Sequence, residues 1–194
     1  MAEHCPAEFK LRKAMIESSR SIYGQLNVIP SWYALSTKAR HEKKVHSQLI
    51  QKGFISYLPL QTFFRRWSDR YKEVQEPLFS CYIFVKMALR ERLKVLQTDG
   101  VVRLVSFNGI PATIPEDQVD AIKAILENNC QIERVNYLTP GQKVEVVQGP
   151  LRGTRGILAQ IKNSHRLIVR IDSIMQAVSI DIDYRDIKII KEKL

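Results

Sequence analysis

The pattern of apolar and polar positions predicts alternating strands and helices in the first two thirds of the chain. Residues 31–36 and 54–60 are short runs rich in aromatic and apolar residues, which is typical of strands. Between them, Val45, Leu49 and Ile50 form an apolar stripe at helical spacing, and Gly53 ends the predicted helix. Because this stripe would cover a sheet, we expect the cations at the start of the helix to face outward.

Residues 76–86 form the most apolar predicted strand. Alternation places Tyr82 and Phe84 on one of its faces, with Ile83 and Val85 on the other. A strand with two apolar faces is either buried between layers or keeps one face for a partner. From the pattern alone, both interpretations of the two rings stay open.

Residues 61–75 alternate aromatic and cationic side chains around Ser68 and Asp69, which predicts a two-stranded protrusion with a turn at its tip. A short helix at 89–98 and a strand at 101–107 follow.

Thr113 and Glu116 are three residues apart and predict a capping box at the start of a second long helix. The expected buried face of this helix contains Val119, Ile122, Ile125 and Leu126. The resulting order, β-α-β-β-α-β-α, predicts an α+β domain with an antiparallel sheet flanked by helices.

The last part of the chain changes character, since short alternating strands there are separated by glycine turns. This pattern predicts a small all-β barrel. Residues 128–137 are polar and unpatterned, which is typical of a linker. We therefore predict four segments: an N-terminal extension (1–30) containing a short amphipathic helix, a first domain (31–127), a linker (128–137) and a barrel domain (138–194).

Composition narrows the possible functions of this 194-residue chain. No apolar run approaches the roughly 20 residues of a membrane span, and no apolar signal-peptide block is present, so we expect a cytoplasmic protein without membrane contact. The three cysteines are far apart, which argues against a zinc site or a disulfide framework. The four histidines have no nucleophile or ligand at useful spacing, so we expect neither enzymatic activity nor a cofactor.

The formal net charge of +10 is unevenly distributed. Residues 31–75 contain nine basic and three acidic side chains, whereas residues 108–137 contain two basic and five acidic ones. A basic surface concentrated in one part of a chain is typical of nucleic-acid binding. A merely solvated basic face is the alternative.

Glycines at fixed spacing with alternating valines, from Gly141 to Gly156, resemble the KOW motif of SH3-like barrels. Its turn residues here are Gly149, Pro150, Gly153 and Gly156. Upstream of this motif, short segments resemble those of the NusG family of transcription elongation factors and follow in the same order. They are Trp32-Tyr33, Leu58-Pro59, the Pro77-Leu78-Phe79 run with Tyr82 and Phe84, and Gly100-Val101-Val102. The pairing of an NGN-like domain with a KOW unit covers residues 31–190.

Residues 59–61 and 66–70, with the additional N-terminal segment, are similar to the UpxY-type members of this family. Such factors resemble RfaH in being operon-specific antiterminators, often of capsular-polysaccharide operons. The resemblance thus implies a regulator, expected as a monomer, that suppresses pausing or termination. A general pause or termination factor of the NusG type and a KOW-containing ribosomal or RNA-binding structural protein are the alternatives.

The resemblance also implies partners and sites. The NGN-like domain is expected to bind the β′ clamp helices of RNA polymerase. The implied polymerase-binding residues are Tyr33, Pro77, Leu78, Phe79, Tyr82 and Phe84. Contacts to non-template or upstream DNA are expected from the first helix and the protrusion. Those residues are Lys38, Arg40, His41, Lys43, Lys44, Arg65, Arg66, Trp67 and Arg70.

The KOW barrel of the family recruits ribosomal protein S-ten or the terminator Rho. The corresponding loop residues here are Ile174 and Met175, for which ordinary barrel core is the alternative. In RfaH this segment can refold into helices. The β-branched alternation of residues 178–183 predicts instead a stable barrel without an α form.

Overall fold

β1 (Ser31–Thr37) is the centre of the first sheet, whose order is β2-β5-β1-β6 with β9 also paired to β1. The structure is a computed structural model that describes residues 28–66, 71–128, 130–135, 137, 141–161 and 164–190. All pairings of β1 are antiparallel. The other strands of this sheet are β2 (Ile55–Tyr57), β5 (Tyr82–Met87), β6 (Val101–Leu104) and β9 (Thr113–Ile114).

Two strand pairs lie outside this sheet. A long hairpin is formed by β3 (Leu60–Arg66) and β4 (Tyr71–Pro77), and a short one by β7 (Ser106–Phe107) and β8 (Ile110–Pro111). The described helices of the first domain are α1 (Glu42–Gln51), α2 (Arg92–Leu96) and α3 (Glu116–Glu127), with a 3₁₀ turn (Leu89–Glu91) before α2.

The alternation of β1 and β5 divides the domain into two layers. Tyr33 and Leu35 share one cluster with Ile83 and Val85, and Val45 and Leu49 of α1 close it. On the opposite face, Trp32 and Ala34 lie beside Phe84 in a second cluster. The predicted α+β architecture is confirmed, because the sheet has helices and a separate apolar cluster on its two sides.

The described chain from residue 132 onward forms a six-stranded antiparallel sheet in the order β10-β14-β13-β12-β11-β15, and we call this part the second domain. Its strands are β10 (Ile132–Val135), β11 (Gln142–Val146), β12 (Arg155–Ile161), β13 (Ser164–Ile171), β14 (Gln176–Asp181) and β15 (Ile187–Ile189). Residues 178–181 are a strand in this conformation, as the alternation predicts.

Several predicted boundaries are corrected. The predicted strand 76–86 is the end of β4, a turn and then β5. Ile132–Val135, predicted to be linker, forms β10 and pairs with β14, so its backbone satisfies the hydrogen-bonding groups on the outer side of β14. The capping box is also wrong: Thr113 lies in β9, and α3 begins after Pro115 without a side-chain cap. The short helix predicted at residues 8–22 lies outside the described part of the chain.

The apolar stripe of α1 is narrower than predicted. Val45 and Leu49 have no exposed surface, whereas Ile50 is 53% exposed. Adjacent helical positions differ by about 100°, so Ile50 turns away from the face that Leu49 buries.

We expect Leu49→Ala to lower the free energy of unfolding by about 2–5 kcal/mol, since it leaves a cavity under α1. The matched change Ile50→Ala removes a mostly exposed side chain, so we expect it to lower the free energy of unfolding by at most about 0.5–1 kcal/mol. Urea unfolding of the full chain measures both values. Equal costs for the two variants would contradict this burial pattern.

Candidate functional site

The aromatic face of the first sheet is mostly covered in this conformation. Phe84 has no exposed surface, and its ring centroid lies 6.3 Å from Tyr57, to which it is stacked, and 5.9 Å from Phe79. Tyr82 is on the same face of β5 and is half-buried. The structure therefore brings these rings together, but it leaves only part of the predicted surface accessible.

The remaining predicted polymerase-binding residues fall in different places. Leu78 and Phe79 are buried in the turn before β5, and Pro77 ends β4 with some surface exposed. Tyr33 is fully buried on the opposite face of the sheet, where burial raises the pKa of its hydroxyl. Because it faces α1, Tyr33 does not belong to the surface that carries Tyr82.

A groove of about 320 Å³ opens beside Tyr57 and is lined also by Leu60, Lys123, Leu126 and Glu127. The Nζ atom of Lys123 lies 5.4 Å from the centroid of Trp32 and 5.8 Å from that of Tyr57, within cation–π range. Burial, and to a smaller degree the charge of Glu127, raise the pKa of the Tyr57 hydroxyl. This groove keeps an apolar wall and a neutral phenol accessible next to the covered rings.

The two domains share one apolar cluster. Val119 and Ile122 of α3 belong to it together with Leu167 and Val169 of β13, and α3 packs against β12 and β13. The 3₁₀ turn Asp172–Ile174 packs against β1 and β9, which leaves Ile174 only 7% exposed. Of the two predicted KOW-partner residues, Met175 alone faces solvent, at 59% exposure.

A polar cluster of Gln118, Tyr137, Arg170 and Asp172 lies at the surface of the same contact, and we name it the Asp172 latch. The Gln118 Nε2 donates to Asp172 Oδ2 at 2.7 Å, and the Asp172 backbone N–H donates to Gln118 Oε1 at 3.3 Å. Tyr137 donates its hydroxyl to Asp172 Oδ1 at 2.7 Å, and Arg170 lies over the Tyr137 ring. The Asp172 bond raises the pKa of Tyr137, so its hydroxyl stays a donor at neutral pH.

The predicted basic face surrounds the start of α1. Lys38, Arg40, Lys43 and Lys44 are exposed, while His41 is half-buried. Lys44 pairs with Asp99 at 2.6 Å on the exposed surface, so part of its charge is compensated locally. The predicted basic face is thus present around the start of α1, but one of its cations, Lys44, is paired.

The protrusion is confirmed as the β3–β4 hairpin. Arg65 stands opposite Lys72 and Arg66 opposite Tyr71 in its register. Phe64 and Tyr71 are 73% and 71% exposed, which is unusual for aromatic side chains without a partner. Trp67 and Arg70 of the predicted set lie outside the described residues.

The glycine turn expected from the resemblance to the KOW motif lies between β11 and β12, but one of its glycines has a different role. Gly149 and Gly153 have left-handed backbones, with φ of 80° and 86°. Gly156, expected among the turn residues, lies in β12, where an added Cβ would meet the Ile168 carbonyl oxygen at 2.6 Å. Close strand packing, rather than turn geometry, requires glycine at that position.

No group of three or more His, Cys, Asp or Glu side chains among the described residues is arranged to hold a metal ion. None of the described helices combines the length and apolar character needed to cross a membrane.

Comparison with known proteins agrees with this architecture. Residues 30–123 match the protein family described as "Transcription termination factor nusG". The "Transcription termination/antitermination protein NusG" of Lactococcus lactis subsp. lactis is 22% identical over 172 residues, covering 81% of this chain and 91% of that protein. The protein of the same name from Streptococcus pyogenes serotype M3 is 24% identical over 147 residues, covering 69% and 82%.

A solved structure titled "Domain interaction in Thermotoga maritima NusG" covers 84% of this chain and 98% of its own, at 18% identity and a TM-score of 0.48. The family match covers 94 of the chain's 194 residues, just under half of it, and falls in its first part. Together with the curated relatives it makes this chain NusG-like, similar to transcription termination and antitermination factors.

Several residues of these faces were not found from the sequence. Tyr57 and Lys123 line the groove, and Gln118 and Asp172 form the latch. Each is an isolated polar or aromatic residue in an ordinary element, so spacing carried no signal for it. Tyr137 lay within the predicted linker and was likewise missed.

We expect Asp172→Ala to weaken the contact between the domains by about 1–2 kcal/mol, since it removes the acceptor for two side-chain donors. Faster hydrogen exchange in α3 and in the turn Asp172–Ile174 would report the separation. Asp120→Ala is the control, because Asp120 pairs with Lys123 on its own helix. Unchanged exchange in the Asp172 variant would show that the latch does not hold the domains.

Proposed function

We propose that this protein is a transcription elongation regulator that binds RNA polymerase through its first domain. In this proposal it acts in the cytoplasm as a monomer, contacts the β′ clamp helices and non-template or upstream DNA, and suppresses pausing or termination. Operon-specific antitermination, as at capsular-polysaccharide operons, is the form we favour. The aromatic groove and the basic face support it, since they lie on opposite sides of one sheet.

This separation matters physically. The groove beside Tyr57 belongs to the side of α3, whereas Lys38, Arg40 and Lys43 lie at the start of α1, which covers the other side. A protein and a nucleic acid could therefore be bound at the same time without competing for surface. Holding both would favour the closed, active state of the polymerase, and a preference of about 1.4 kcal/mol shifts that equilibrium tenfold.

The contact between the domains adds a condition to this proposal. Phe84 is inaccessible, and Ile174, the predicted partner residue of the barrel, is buried against β1 and β9. A partner that uses Ile174 must first separate that turn from β1 and β9, and a partner that uses Phe84 must first displace the side chains that cover its ring. Binding through the Tyr57 groove and the exposed part of Tyr82 requires no such step, so it would form the first contact.

A general NusG-type pause or termination factor is the second candidate. It is favoured by the curated relatives, which carry that name and match most of the chain. Genome-wide occupancy of the tagged protein separates the two candidates: a few marked operons indicate a specific antiterminator, and broad occupancy a general factor.

We expect Tyr57→Ala combined with Tyr82→Ala to weaken binding to core RNA polymerase by about 30-fold or more, because aromatic anchors at interfaces contribute about 2 kcal/mol or more. Co-purification and a binding titration with the full-length chain measure this loss. Tyr184→Ala is the matched control, since Tyr184 is 53% exposed on the barrel.

Equal polymerase binding by the wild type and the double tyrosine variant would show that the groove does not bind the polymerase. Sedimentation of both proteins with a ribosomal subunit would instead favour the ribosomal KOW alternative.

A further inference from the structure

A pocket of about 450 Å³ lies where the linker strand meets the first domain. Its walls come from three places: the start of α1, the end of β4 with the following turn, and β10. The lining residues whose chemistry matters are Arg40, Lys43, Ser80, Cys81 and Arg134. We name it the Arg134 pocket.

Arg134 reaches the first domain from β10, which is a strand of the barrel sheet. Its Nη2 donates to the Pro77 carbonyl at 3.2 Å and lies 3.5 Å from Ser80 Oγ. The guanidinium has five N–H donors and is otherwise on the exposed surface, so donors remain for a ligand. Arg40 and Lys43 approach the same pocket from the first domain and are also exposed.

Two carboxylates line the pocket as well, and their charge reduces the excess of its three cations to one. The Glu42 carboxylate is buried and accepts the Cys81 backbone N–H at 2.8 Å, so it is engaged in joining α1 to the turn before β5. Glu76 also has an interaction partner. Three cationic side chains thus stand against two carboxylates around this opening, and the remaining positive charge suits an anion held by Arg and Lys.

The position of the pocket indicates where such an anion would come from. Arg40 and Lys43 belong to the basic face of α1, and Glu76 and Pro77 form the base of the β3–β4 hairpin. A nucleic-acid strand passing from the hairpin to α1 would cross this opening. The phosphate chemistry is shared by a free nucleotide, but only a strand would also use the cations on both flanks.

We infer that the Arg134 pocket binds a backbone phosphate of single-stranded DNA and that Arg134 completes this subsite from the barrel domain. This inference rests on the proposed contact with DNA and extends it to a residue outside the NGN-like domain. A consequence follows from linkage: because the subsite is complete only while β10 is docked, a bound strand stabilises the docked arrangement of Arg134 and the first domain.

The test measures the affinity of the full-length chain for a fluorescein-labelled oligodeoxythymidylate by anisotropy, over a series of salt concentrations. Arg134→Ala should weaken binding about threefold to tenfold and reduce the slope of log K against log salt by about one, as expected for one lost phosphate contact. Arg152→Ala is the matched control, because Arg152 is an exposed arginine in the turn between β11 and β12 and does not line the pocket.

The variant Arg134→Lys distinguishes the effect of the positive charge at position 134 from the effect of docking β10 on the first domain. It keeps the cation and should retain most of the affinity if the phosphate contact is what matters. If Lys and Ala weaken binding equally, and hydrogen exchange shows that β10 has loosened in both, the loss comes from docking and the inference is overturned. Equal affinities for the Arg134→Ala and Arg152→Ala variants would also overturn it.

Thymidine 5′-monophosphate tests the other source of phosphate. If it binds the wild type but not Arg134→Ala, while DNA affinity is the same for both, the pocket serves a free nucleotide and the DNA assignment is wrong. Failure of the proposed function is distinguishable: a wild type that binds no DNA at all removes the DNA half of that proposal together with this inference. Polymerase binding is measured independently of Arg134.

Discussion

The structure depends on one apolar contact, the burial of α3 against the barrel sheet in a cluster that continues into the face of β1 and β5. Val119, Ile122 and Ile125 have no exposed surface, and Ile174 adds the turn of the barrel to the same cluster. Each such side chain contributes about 1.5–3 kcal/mol when fully buried. The barrel is small, so this shared burial also supplies stability that its own core could hardly provide. The stability of each domain therefore depends on its contact with the other.

In the proposed function this contact limits binding, because some residues expected to meet partners lie inside it. Phe84 and Ile174 are apolar residues that both lie inside the cluster, whereas Tyr82, the Tyr57 groove and Met175 remain at its margin. A partner that binds at the margin and then displaces the contact must gain more than the apolar burial it replaces. Such competition makes binding conditional without any covalent step.

Polar contacts adjust the strength of the contact between the two domains but do not create it. The Asp172 latch and the Arg134 contact with Pro77 are at the surface, where isolated ion pairs and hydrogen bonds contribute little individually. Their value lies in geometry, since they set the orientation in which the two domains meet. The Glu42 bond to the Cys81 N–H has a similar role within the first domain, where it fixes the start of α1 against the turn before β5.

The sequence by itself determined most of the local elements. Alternation placed Tyr82 and Phe84 opposite Ile83 and Val85, and the glycine-punctuated strands predicted the all-β second domain, because period-two burial and left-handed turns leave direct marks in a chain. It also predicted the hairpin and the basic start of α1. Only the tertiary structure decided that Phe84 is covered, that Ile50 is exposed, that Ile132–Val135 is a strand and that Arg134 reaches the first domain. These features arise from contacts between residues far apart in sequence, and no short pattern encodes which of two apolar faces the rest of the chain will cover.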